Sequence, residues 1–179
     1  QHRGGRGSTG AATKEEDYVE HLFIASTHHY ILFFTDRGRC YWLRVHEVPL
    51  AGKASKGRAV INLLEKDKNE KLCTFVTVKE FDPNMNIIMA TKKGVIKKTL
   101  LSSYSRPRRN GINAINIRDD DDLIEAKITD GTQDIVLGTH HGQAIRFKET
   151  DARPMGRTAT GVRGIRLRKD DFVVGMVVI

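Results

Sequence analysis

The feature that most constrains this chain is a β-hairpin pattern that occurs three times. Asn86 to Leu100 reads NIIMATKKGVIKKTL. Ile87, Ile88 and Met89 form an apolar run too short for a stable helix. Lys92-Lys93-Gly94 reads as a turn whose glycine can take the positive φ of a tight hairpin, and Val95 to Leu100 return as the second strand. On that strand Ile96 and the pair Lys97-Lys98 suggest one face in a core and one edge in water. The pattern is repeated by Tyr30 to Phe34, Asp36-Arg37-Gly38 and Arg39 to Val45, and again by Asp134 to Leu137, His140-His141-Gly142 and Gln143 to Lys148. The turn glycines Gly38, Gly94 and Gly142 lie 56 and 48 residues apart.

A second marker follows each hairpin, a basic, Gly-rich loop and an apolar alternation. Gly57 precedes Ile61 and Leu63, Gly111 precedes Ile115 and Ile117, and Gly161 precedes Ile165 and Leu167. A closing strand is expected at Leu72–Val78, Leu123–Ile128 and Phe172–Ile179. Each repeat then holds about four short strands, an all-β pattern typical of propeller-like arrays of four-stranded blades. One such unit cannot bury its own faces, so the repeats form one continuous domain.

The first residues, QHRGGRGSTG, are polar, basic and Gly-rich, and on composition alone form a loop. Gly7 lies eleven residues before Tyr18, as Gly161 lies eleven before Phe172, so residues 1–27 read as the second half of an incomplete blade. The complete blades are expected at 28–82, 83–131 and 132–179. The chain begins at Gln1, without Met and without room for a first hairpin, and is expected to be part of something longer.

Hydrophobic content of 39% with 29% charged residues fits a folded globular class rather than disorder. Lys and Arg number 30 against 22 Asp and Glu, a net charge of +8. That excess favours a polyanionic partner, nucleic acid before an anionic membrane. The two cysteines, Cys40 and Cys73, form no CxxC pair, so structural zinc is not indicated and a reduced, cytosolic setting is the simple reading. No signal peptide is visible, and no apolar run approaches the roughly 20 residues of a membrane span.

The basic residues recur in register. The loops after the hairpins carry Lys53, Lys56 and Arg58, then Arg106, Arg108 and Arg109, then Arg153, Arg157 and Arg163. Lys97, Lys98, Arg146 and Lys148 lie on the outgoing strands. A periodic fold puts equivalent positions on equivalent parts of its rim, so these loops build a stripe. A stripe suits a duplex that carries one charge per ~1.7 Å of axis. The acidic groups Glu15 to Asp17, Asp67 with Glu70, Asp119 to Asp122, and Asp170-Asp171 come just before closing strands and read as solvated turns rather than a metal site. The pairs His28-His29 and His140-His141 read as exposed turn residues. No nucleophile-elbow or Walker pattern appears, and Lys92-Lys93-Gly94 has too few glycines for a phosphate loop. Tyr41, Trp42, Phe33 and Phe34 lie in strands and are assigned to core, which disfavours single-strand binding by stacking. Without a recognition helix, strong sequence specificity is not expected. A propeller used as a protein-interaction platform is the competing class, and it lacks WD-type signatures; a hydrolase lacks any catalytic constellation.

Gln1-His2-Arg3-Gly4-Gly5-Arg6-Gly7 is similar to the seven-residue box of the C-terminal domain of DNA gyrase A, QRRGG[KR]G. IIMATKKGVIKKT at Ile87 to Thr99, and RFKETDARPMGRTATGVRGIRL within Gln143 to Leu167, resemble repeats of that family. His2 stands where the family usually has Arg, which removes a charge at that place. The resemblance implies a β-pinwheel, usually of six blades with strands exchanged between neighbours, of which this chain holds three and a half. It implies a domain without catalytic residues that wraps double-stranded DNA around a basic perimeter. The box residues Gln1, Arg3, Gly4, Gly5, Arg6 and Gly7 join the basic loops as DNA contacts. It also implies a bacterial cytoplasmic, nucleoid-associated holoenzyme, a gyrase heterotetramer of A and B subunits. There ATP and Mg drive negative supercoiling in parts outside this chain. The related module of topoisomerase IV is the alternative, and it lacks an intact box.

Overall fold

A computed structural model describes residues 29–45 and 69–179 of the chain. They form three antiparallel sheets, each built on one of the expected hairpins. The first hairpin joins β1 (Tyr30–Thr35) to β2 (Arg39–Arg44), with β3 (Leu72–Val78) on the other side of β1. In the second, β4 (Asn86–Thr91) and β5 (Val95–Leu100) pair from Asn86↔Leu100 to Ala90↔Ile96. The short β6 (Ile112–Asn113) follows, and β7 (Leu123–Thr129) closes against β4. In the third, β8 (Asp134–Thr139) and β9 (Ala144–Lys148) pair from Asp134↔Lys148 to Gly138↔Ala144. After β10 (Val162–Arg163), β11 (Val173–Val178) closes against β8. Each closing pair has a register shift near the hairpin turn, at Phe34/Thr35, Ala90/Thr91 and Val173/Gly175.

The outermost strand of a sheet comes from the following unit. β6 pairs with β2 through Arg39↔Asn113 and Cys40↔Ile112, and β10 pairs with β5 through Val162↔Ile96 and Arg163↔Val95. This agrees with the strand exchange implied by the family resemblance. It differs from the sequence reading in one respect: Ile115-x-Ile117 and Ile165-x-Leu167 are not ladder strands. The N–H groups of Ala114 and Ile115 both bond the Gly38 carbonyl, at 2.8 and 3.2 Å, and those of Gly164 and Ile165 both bond the Gly94 carbonyl, at 2.8 and 3.3 Å. Two donors converging on one oxygen fold the chain over the turn and end the pairing. Gly38 and Gly94 sit at φ +81° and +89°, and a Cβ on Gly94 would stand 2.9 Å from Ile165 Cγ2 and 3.0 Å from its carbonyl oxygen. Only glycine meets both demands.

The closing strands β3, β7 and β11 lie side by side, so they mark the inner edge of the array and β6 and β10 the outer rim. One core forms between the first two sheets from Leu32, Phe34, Val76, Ile87, Met89 and Leu123. A second forms between the next two from Ile88, Ala90, Ile96, Ile135, Leu137 and Val173. Ile87 and Ile88 point to opposite faces of one strand, and both are buried, because β4 has a sheet on each side.

Among the acidic residues before the closing strands, Asp121 and Asp171 are clasps, Asp119, Asp120 and Asp170 are exposed as expected of solvated turns, and Glu15 to Asp17 and Asp67 lie outside the described residues. Asp121 is buried, and its Oδ1 accepts from Lys93 N–H at 2.9 Å and Asp122 N–H at 2.8 Å. Asp171 Oδ1 does the same for His141 N–H at 3.0 Å and Phe172 N–H at 2.9 Å. Burial works against the Asp171 carboxylate, but the Thr139 hydroxyl and those two N–H groups outweigh it and hold its pKa below the ordinary value.

These joints make two tests possible. Gly94→Ala should lose more than about 2 kcal/mol in denaturant unfolding, since about 1–2 kcal/mol of left-handed strain adds to a collision with Ile165. Gly142→Ala, at φ +86° with nothing within 4 Å of the added Cβ, should lose only the strain. Equal losses would show that the packing against the next unit costs nothing. Because the Asp171 pKa is depressed, its contribution is present above the unfolded carboxylate value of ~3.9 and is lost as pH falls through the folded value. Protection of the His141 and Phe172 amides, relative to their intrinsic exchange, should therefore fall in wild type only as pH drops below the ordinary carboxylate value of ~3.9, and should already be reduced at pH 6 in Asp171→Ala.

Candidate nucleic-acid interface

The loops that lead into the rim strands carry exposed cations, as do other places such as Lys92 and Lys93 in the second hairpin turn and Lys127 on β7. After the 3-10 turn Leu101–Tyr104, the segment reaches β6 through Arg106, Arg108 and Arg109, all exposed, beside Pro107. A tight turn in which Gly111 N–H bonds the Arg108 carbonyl at 2.9 Å, with Gly111 at φ +83°, aims the loop into the rim strand. The third unit repeats this: Arg153 is exposed ahead of the loop, and Arg163 is exposed on β10 itself. No acidic residue occurs from Leu101 to Arg118 or from Arg153 to Lys169. Both loops therefore present positive charge that no neighbouring carboxylate in the same segment offsets.

Other expected site residues are engaged by the protein. Arg146 is exposed, but its Nε lies 2.8 Å from Asp134 Oδ2, while Lys148 at the end of β9 is exposed. Arg157 is half-buried, and its Nη1 donates to the Asn113 carbonyl at 2.9 Å. Gln1, Arg3, Gly4, Gly5, Arg6, Gly7, Lys53, Lys56 and Arg58 lie outside the described residues.

Lys97 and Lys98 require a correction. Neither faces water: they are 1% and 6% exposed. β5 is flanked by β4 and β10 and has packing on both faces, so alternation sends the two side chains into two different interiors. The Lys97 ammonium donates to the carbonyls of Ala114, Gly156 at 3.1 Å and Arg157 at 2.7 Å. Burial first, and Arg157 second, lower its pKa to about 7. Lys98 Nζ lies 3.3 Å from both Glu149 Oε1 and the Glu149 carbonyl. Glu149, fully buried, also accepts from Thr129 Oγ1 and Gln133 N–H, each at 2.9 Å.

Sequence reasoning missed Arg37 and Arg39. Arg39 Nη2 donates to the carbonyls of Asn110 at 2.8 Å and Gly111 at 3.1 Å, so the first hairpin holds the root of the second unit's basic loop. Arg37 Nη1 donates to the Asp121 carbonyl at 2.6 Å, and Nη2 to the Arg118 carbonyl at 3.2 Å. Their place on either side of Gly38 was the available signal. Arg166 and Arg168, exposed next to the third loop, were also passed over.

Among the described residues the aromatic and histidine side chains offer no competing site. Trp42 packs against Tyr30 with centroids 4.5 Å apart and stacks parallel to Phe81 at 6.3 Å. His140 is exposed and stacks on Phe172, and His141 Nε2 lies 3.1 Å from the Asp170 carbonyl. Among the described residues no three His, Cys, Asp or Glu side chains are grouped to hold a metal ion, and no helix is long and apolar enough to cross a membrane.

The buried ion pair carries a prediction. Glu149→Ala strands the Lys98 ammonium in a dry site and should cost about 3–5 kcal/mol, lowering Tm by roughly 10 °C. A thermal melt unchanged within 2–4 °C, the shift expected from about 1 kcal/mol, would show that water reaches Lys98.

Comparison with known proteins adds a family to this geometry. The family model described as "DNA gyrase C-terminal domain, beta-propeller" matches residues 1–26, 29–72, 86–130 and 133–179. The DNA gyrase A protein of Clostridium acetobutylicum is 53% identical over 164 residues, which is 92% of this chain and 20% of that protein. That of Salmonella typhimurium is 45% identical over 178 residues, 99% of this chain and again 20% of the relative. The chain thus spans about one fifth of the length of these curated relatives. Among solved structures, the C-terminal domain of DNA topoisomerase IV superposes with a TM-score of 0.77 at 30% identity, covering 86% of this chain and 48% of that one. The DNA gyrase A C-terminal domain superposes with a TM-score of 0.69 at 22% identity over the same shares, which bears on the fold alone.

Proposed function

Because the chain belongs to the DNA gyrase C-terminal domain family, we propose that it is a non-catalytic module that binds duplex DNA and bends it around its outer rim. The observation that carries this reading is the placement of Arg106, Arg108 and Arg109, and of Arg153 and Arg163, on or beside the rim strands of successive sheets. Charges set at repeating intervals along a curved edge fit a polyanion that follows the edge. Phosphate contacts then supply the affinity, and the stiffness of the bent sequence supplies what preference exists.

In the whole protein the wrapped segment would feed a type II topoisomerase with gyrase A and B subunits. Its handedness would direct ATP- and Mg-dependent strand passage toward negative supercoils, in the bacterial cytoplasm at the nucleoid. The likeness to topoisomerase IV supports a second reading as that enzyme's module. The box at Gln1 to Gly7 and the gyrase names of the relatives by sequence favour the first.

Log affinity for duplex DNA should fall linearly with log salt, with a slope of about −0.9 per neutralised phosphate. Arg106→Ala with Arg108→Ala should make that slope shallower by roughly 1.8 and leave thermal unfolding unchanged, since both side chains are exposed. Binding that ignores salt would remove the polyanion reading. A variant that melts early with an unchanged slope would make the loop structural.

A further inference from the structure

We propose that Lys97 is a positioning residue for DNA wrapping, which fixes the basic loop of the third unit against the second by holding carbonyls of both on one ammonium. The inference rests on the wrapping function proposed above. An ammonium has three N–H donors, and all three of Lys97 are used: one on Ala114, in the segment that leaves the second unit's rim strand, and two on Gly156 and Arg157, within the third unit's loop.

The surrounding bonds show what the ammonium completes. Met155 N–H bonds the Lys98 carbonyl at 2.7 Å, Arg157 Nη1 bonds the Asn113 carbonyl at 2.9 Å, and Asn116 N–H bonds the Ala159 carbonyl at 3.1 Å. The loop thus lies along the second unit from residue 155 to 159, with Lys97 under its middle. The exposed Arg153 precedes this anchored stretch, and Arg163 follows it on the rim.

The fold itself does not ask for a cation at this place. Counted from the turn glycine, the same position is Tyr41 in the first hairpin and Ile145 in the third. Tyr41 sends its hydroxyl to Glu70 and Ile145 has no polar atom, yet the same hairpin forms around each. Burying a charge is costly, and apolar residues often replace buried charges without loss of stability. A lysine here is accounted for by the carbonyls of the neighbouring loop. Affinity for DNA sums over many phosphates and barely depends on how two loops are spaced. Bending a stiff duplex requires successive contacts at fixed separations. Loss of the tie should therefore separate wrapping from binding.

The test compares wild type and Lys97→Met, as full chains, in two assays: a duplex-binding titration, and ligation of nicked plasmid at equal occupancy with the linking-number change read on a gel. Lys97→Met should bind within about threefold of wild type and lose at least two thirds of the linking-number change per bound molecule. Equal linking-number change in the two proteins, or affinity and wrapping falling in proportion, overturns the inference. A wild type that binds DNA but leaves linking number unaltered overturns the wrapping function with it.

Should circular dichroism show that Lys97→Met does not fold, the wild type carries the test through pH. The groups that face Lys97 are Arg157 from the loop and Tyr104, whose hydroxyl donates to the same Ala114 carbonyl at 3.1 Å and which has Cys40 of β2 as a neighbour. Burial pushes both the Tyr104 hydroxyl and the Cys40 thiol above their ordinary values, so neither titrates with Lys97. Raising pH from 6 to 9 takes the charge and one donor from Lys97, and the linking-number change at equal occupancy should fall. A value that stays constant across that range overturns the inference.

Discussion

The array depends on one carbonyl at each joint. A turn glycine at positive φ points its C=O out of the hairpin, and the following unit caps it with two consecutive N–H groups, as Ala114 and Ile115 do for Gly38. That double acceptance stops the rim strand after two paired residues and lays Ile115 over the turn. The isoleucine then fills the gap between two sheets, which is why a side chain on the glycine would collide with it. Sheet completion, sheet spacing and the entry angle of the basic loop all follow from one backbone geometry.

Much of this was legible in the sequence, for a local reason. A hairpin is specified by residues close together in the chain: an apolar run, a turn glycine, a returning strand. The ranges read for Tyr30 to Val45, Asn86 to Leu100 and Asp134 to Lys148 hold to within a residue or two. The partner of the rim strand was not legible from the residues themselves, because Ile112 meets Cys40 across about 70 positions of chain and periodicity does not report such pairings. Nor was the clasp role of Asp121 and Asp171. An aspartate before a strand reads as a turn former, and only the neighbouring turn supplies the N–H groups that it accepts.

The cations divide by where the backbone leaves carbonyls unpaired. Loop roots and tight turns expose C=O groups that no strand can satisfy, and Arg37, Arg39, Lys97 and Arg157 answer them. Arginines at the crest of a loop, such as Arg106 and Arg108, lie beyond that demand and remain at the surface. Composition cannot separate the two populations, since both contribute equally to a net charge of +8. Position relative to the turn glycine separates part of them: Arg37 and Arg39 beside Gly38 and Lys97 three after Gly94 serve joints, while the following loops hold both a joint residue, Arg157, and surface residues such as Arg106 and Arg108.

The third hairpin separates the local from the long-range part of this logic. Among the described residues no strand pairs with the outer edge of β9, and nothing stands within 4 Å of a Cβ on Gly142. Ile145 is 38% exposed there, while Lys97 at the same place is 1% exposed. Yet β8 and β9 keep full register, and Gly142 holds φ +86°, close to the values at Gly38 and Gly94. The turn at Gly142 thus keeps its geometry with no strand paired to β9 among the described residues. In each completed joint a two-residue strand and its isoleucine lie on a hairpin whose turn glycine presents the carbonyl. What the following unit adds is burial, and with burial the setting in which an ammonium such as that of Lys97 can hold a loop.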